Sequence, residues 1–154
     1  MTTALLIVHG VVAVALLGAV THQVLATWLP ARTRPGSFLG RFRAVPAERF
    51  AGAVALLYGL SAIMGAILYL FFRVDIRPVL EYSRHWSTLG LFEIKEHLVA
   101  IGLALLPAYC ASWRQPAGGA LARTRAALTL ILAFIAWWSF LVGHVVNNTR
   151  GFAS

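Results

Sequence analysis

The sequence predicts an all-α fold, an integral-membrane antiparallel four-helix bundle, on three observations. Of its 154 residues, 60% are hydrophobic and only 12% are charged, whereas a soluble domain is about a quarter charged. The apolar residues gather in four stretches, 4–29, 50–72, 91–113 and 126–147, each meeting the requirement of about 20 residues for a bilayer-spanning helix. The charges gather in the connections between them. The length fits a single domain over 1–154.

Taken in order, the first stretch follows directly on Met1-Thr2-Thr3. It lacks a positive leader and exceeds a signal-peptide core, so a membrane helix ending at Pro30 is expected. The second ends before Arg73, and the roughly 20-residue connection that follows, rich in Arg, Tyr and Trp, is expected to lie along the outer interface. The third contains Pro107, which should kink it and free the carbonyl of Leu103. Arg114, Pro116 and Gly118-Gly119 end it, and the fourth runs to Asn147. Small residues recur at packing spacing: Ala15/Ala19, Ala55/Gly59, Ser61/Gly65, Ala62/Ala66 and Ala100/Ala104/Ala108. Such faces let membrane helices approach closely.

The net charge of +8 reads as a topology signal. Loop one carries Arg32, Arg34, Arg41, Arg43 and Arg49, and loop three carries Arg114, Arg123 and Arg125. Loop two balances Arg73, Arg77, Arg84 and Lys95 against Asp75, Glu81, Glu93 and Glu96. The positive-inside rule then places loops one and three in the cytoplasm and both termini outside, in a bacterial inner membrane. The bilayer, rather than nucleic acid, is the expected partner of this basic chain. A single cysteine, Cys110, excludes an intramolecular disulfide and a cysteine-built zinc site. It reads as a small buried hydrophobe. No C-x-x-C-H, phosphate loop or nucleophile elbow is present.

The histidines carry the functional signal, because ionisable residues in membrane spans are costly. His9, His97 and His144 come from three spans, and at 1.5 Å per residue all lie within roughly 5–10 Å of the outer edge. Glu93, one turn before His97, is placed to orient its imidazole. His22 points about 220° away from His9 around the first helix and reads as interfacial, beside the arginine loop. His85 reads as solvated or interfacial. Trp28, Trp86 and Trp113 fall at membrane edges, where tryptophan is common. Asn147 and Asn148 sit one turn beyond His144, as hydrogen-bond donors to a ligand or as a helix cap.

Several chemistries suit three matched imidazoles. Two from facing helices ligate a b-type haem, with His97 and His144 as the first pair and His9 as the alternative partner. Phe140, Trp137, Trp138 and Phe92 would then pack on the ring, and Arg84 or Arg150 would pair with the propionates. Alternatively His97, His144 and His9, with Glu93 or Glu96, suit copper or zinc. A His/Glu cluster also suits proton or quinone chemistry. The plainest possibility is that each histidine only bonds one helix to another.

Beside these residues, the pattern resembles small four-helix membrane haem proteins: the di-haem b-type cytochromes of bacterial inner membranes, and the bacterial four-helix protoporphyrinogen oxidase with its copper-resistance relatives. His9 looks like that oxidase's first-helix histidine. Lys95, in Phe92-Glu93-Ile94-Lys95-Glu96-His97, looks like its third-helix lysine. Glu93, Glu96 and His144 depart from the pattern. The expected function is haem-based electron transfer between a membrane quinone or partner subunit and an acceptor at the outer face. The alternatives are a non-redox structural subunit and a copper-handling protein. Such a chain works within a larger membrane complex, as a homo-oligomer or alone.

Overall fold

The computed structural model of the chain describes residues 2–29, 36–38, 41, 45–116 and 118–153, with the backbone alone for residue 2 and residues 150–153. The described residues are helical, with no strand among them. Helix α1 spans Thr2–Trp28. A 3-10 turn, Ala47–Phe50, leads into α2, Ala51–Phe71. A π-helical turn, Phe72–Ile76, joins α2 to the short α3, Arg77–Tyr82. Helix α4 spans Trp86–Arg114 and α5 spans Gly119–Ala153.

Four helices are thus long, and three stretches are long and apolar enough to cross a membrane: Thr3–Trp28, Ala47–Tyr82 and Gly119–Thr149. Helix α4 differs because Glu93, Lys95 and Glu96 lie together in its first half.

The second connection corrects the sequence reading. Most of the expected 20-residue interfacial loop is helix, and the turn between α3 and α4 is only 83–85. Polar residues end the apolar run at Arg73, but they do not end the helix. Pro78 occupies the first turn of α3, where its missing N–H leaves no bond unmade. The wider π turn before it carries the chain across, with the Arg77 N–H donating to the Phe72 carbonyl. The helix then stops in a Schellman motif: the His85 N–H donates to the Leu80 carbonyl at 2.9 Å and the Arg84 N–H to Glu81 at 3.1 Å. Arg84 takes the left-handed position there, at φ 57°.

Helix α4 continues through Pro107 as one helix. Both α4 and α5 start earlier than their hydropathy suggested, because hydropathy marks what is apolar and not where backbone hydrogen bonding ends.

Each long helix runs antiparallel to its neighbours. Helix α1 packs on α2 and α5, and α4 packs on α5 and, less closely, on α2. At the end of α1, Gln23 Nε2 donates to the Ala47 carbonyl at 3.0 Å and Trp28 Nε1 to the Ala126 carbonyl at 3.2 Å, so both neighbours begin where α1 ends. The start of α1 instead meets late α2, where His9 lies over Gly65.

Two apolar clusters hold the helices together. One, around Leu16, Val20, Val54, Tyr109, Leu132 and Ile135, lies toward the end where α1 finishes. The other joins Phe72, Leu80, Leu89, Phe92, Val142 and Val146 beneath the α3–α4 turn. Its Phe72 and Phe92 rings stack with centroids 3.8 Å apart.

Candidate functional site

A cavity of about 420 Å³ lies among all four long helices, in the half of the molecule where α1 starts. Leu16, Tyr58 and Ala136 of the first apolar cluster close its floor. Small residues make the space. Gly10 and Ala13 of α1, Ala62 and Gly65 of α2, Ala100 of α4 and Gly143 of α5 line it. Stripes at this spacing usually bring helices together. Here Ser61, Ala62, Gly65 and Ala66 of α2 and Ala100 of α4 line a cavity instead, and Ala104 and Ala108 are exposed.

The polar lining is concentrated. His9, Ser61, Lys95, Glu96, Ser139, His144 and Asn147 all face the cavity. His9 is half-buried, and its Nδ1 is buried with no hydrogen-bond partner among the described residues. Ser139 Oγ is in the same condition. The Lys95 Nζ lies 2.7 Å from Glu96 Oε1. His144 is exposed at the rim, with the Phe140 ring nearly parallel to its own at 6.2 Å between centroids. Tyr58 passes so close to α4 that its ring fills the place of a side chain at Gly102, and its hydroxyl donates to the Val99 carbonyl at 3.2 Å.

Both His9 and His144 therefore line the one cavity, whereas His97 is not among the cavity-lining residues. His97 is exposed, and its Nδ1 lies 2.7 Å from the Glu93 carbonyl oxygen one turn back. The Glu93 carboxylate does not hold the His97 ring as the spacing suggested. It lies 3.5 Å from Arg77, which also holds Glu81 at 2.7 Å. In a helix the i−4 carbonyl is simply nearer to the imidazole than a carboxylate drawn toward a guanidinium.

The expected supporting residues divide likewise. Phe140 lines the cavity, but Trp137 lies outside it, donating from Nε1 to Thr21 Oγ1 at 3.0 Å. Arg84 is exposed in the turn and does not line the cavity. The Arg150 side chain lies outside the described ones. Among the described residues no three His, Cys, Asp or Glu side chains gather as a metal site would need.

A second polar centre, at the opposite end, escaped the sequence reading. His22, read as interfacial, is fully buried against the Phe50 ring, 4.2 Å between centroids. Beside it, Tyr109 donates to Gln23 Oε1 at 2.5 Å. Arg125, only 6% exposed, donates to the carbonyls of Ser112 and Gln115 that end α4, and its guanidinium lies 4.7 Å from the Trp113 ring. Its signal in the sequence is Gln23 within, and Arg125 beside, an apolar stretch.

Comparison with protein-family models, with curated proteins and with solved structures finds no match to this chain.

Proposed function

We propose that the chain is a multi-pass protein of a bacterial inner membrane whose cavity takes a b-type haem, with His9 and His144 as the ligand pair. It passes electrons between a membrane quinone or a partner subunit and an acceptor at the outer face. The observation that carries this reading is the convergence of two imidazoles, from different helices, on one cavity. Its 420 Å³ lies within the range of about 300–1,000 Å³ usual for small-molecule and cofactor sites. Small residues leave width for a flat ring, and the buried Nδ1 of His9 has no partner within the described chain. Bound haem supplies a one-electron couple, whose potential is tuned by its axial ligands and surroundings. The chain's own part is to hold the ring between α1 and α5 and to wall it with apolar side chains.

Placement in a membrane is supported by the three long apolar stretches and by their outward faces, where Val11, Leu56, Ile63 and Leu70 are exposed. Helix α4 makes a fourth span on this reading, because its Lys95 and Glu96 turn into the cavity rather than toward lipid. The arginines of loops one and three set the cavity toward the outer face.

The test is a reduced-minus-oxidised absorbance spectrum of the chain purified in detergent from haem-replete cells. A Soret and α-band are expected, lost in His9→Ala and in His144→Ala but kept in His97→Ala and His85→Ala. A well-folded preparation without those bands, or a spectrum that depends on His97 and not on His9, refutes the assignment. Labelling of a cysteine placed in loop one from the outside would reverse the orientation.

A further inference from the structure

Lys95 is held in an unusual way for a cation at this depth. Its side chain is 15% exposed, it lines the cavity, and its Nζ lies 4.2 Å from the Phe92 ring centroid. Its one ion-pair partner among the described residues is Glu96, the next residue in the chain. Adjacent helix residues are 100° apart and do not face each other, unlike pairs three or four apart. The two side chains must therefore bend toward one another across the helix surface. Lys95 is also the one Lys or Arg among the described cavity-lining residues.

We infer that Lys95 is the anion-recognition residue of this cavity. It takes a carboxylate of the bound ligand, and Glu96 occupies its ammonium group in the ligand-free protein. The cavity then selects flat apolar ligands that carry an acid group over the same ligands without one. This rests on the haem reading above, and it gives Lys95 the propionate-pairing role that the sequence had suggested for Arg84 or Arg150. The reason is electrostatic. A poorly solvated ammonium gains more from a carboxylate free to align with it than from one tethered a residue away.

The experiment titrates the full chain, prepared without haem in detergent, with haem b and with its dimethyl ester, following the Soret band. The quantity compared between variants is the ratio of the two affinities, so that the ester's greater partition into detergent, common to all of them, cancels. Lys95→Met should reduce that ratio by about ten-fold or more by weakening haem alone. Lys95→Arg should keep most of the ratio. Glu96→Gln should raise it, because the internal competitor is gone. Unchanged binding of the ester shows that each variant is folded. A ratio that Lys95→Met leaves unchanged, with both ligands weakened alike or neither weakened, overturns the assignment while leaving the haem reading in place. A wild-type chain giving no Soret band with either ligand removes both.

Discussion

The two ends of the bundle treat buried polar groups differently, although the end around Arg125 also holds one that is unpaired among the described residues, Trp113 Nε1. Around Gln23, Tyr109 and Arg125, donors meet acceptors on neighbouring helices: Gln23 with Ala47 and Tyr109, and Arg125 with Ser112 and Gln115. Around His9, polar groups line open space, and His9 Nδ1 and Ser139 Oγ have no partner among the described residues. A buried polar group without a partner costs about 1–3 kcal/mol, so the first arrangement contributes stability and the second gives some up. The balance differs between the two ends, and it is testable by substitution.

The largest effect is expected at Arg125. Replacing it with Leu removes the charge and leaves the α4 carbonyls of Ser112 and Gln115 without their donor. A loss of about 3 kcal/mol is expected, seen as a lower unfolding midpoint in detergent with haem binding retained by the folded fraction. A variant as stable as the wild type would show that Arg125 does not hold α4 to α5.

An intermediate effect is expected where the two regions meet. A methyl group at Gly102 would collide with the Tyr58 ring, which closes the cavity floor. Gly102→Ala should destabilise by about 1–3 kcal/mol, the usual cost of overpacking, and should also disturb the ligand spectrum because Tyr58 must move. Stability lost without any spectral change would separate the floor from the site.

The smallest effect, of opposite sign, is expected at Ser139. Ser139 lines the cavity and its hydroxyl is buried with no partner among the described residues, so Ser139→Ala should leave the ligand-free protein unchanged or stabilise it by about 1 kcal/mol. Thermal unfolding decides it. A clear destabilisation would mean the cavity is as well satisfied as the opposite end, and the contrast between the two would fall.

The four-helix pattern was legible because hydropathy is a local property. Apolar runs of sufficient length mark each long helix, and α4 stops at Arg114, two residues before Pro116. The loop after Arg73 was misread for the same reason. Local polarity reports the loss of an apolar surface, while the π turn and Pro78 let the backbone stay helical to Tyr82.

The site was half legible. The level of His9 and His144 along their helices followed from counting residues, since rise per residue is fixed. Their facing did not. Lys95, Glu96 and His97 are consecutive and sweep about 200° of helix surface, so any helix must send them in different directions. Only the position of α1, α2 and α5 around α4 turns Lys95 and Glu96 toward the cavity and leaves His97 outside. His22 teaches the same point from the other side. It points away from His9, yet it is also buried, because α1 packs on two neighbours at once.

What the sequence by itself determined is how many long helices form, where the apolar runs lie and which polar residues lie among them. The tertiary structure decided which of those residues meet, because the pairing of faces depends on the packing of all four helices together. Two histidines, a lysine and a glutamate, drawn from three helices, line one cavity only because of how all four long helices pack.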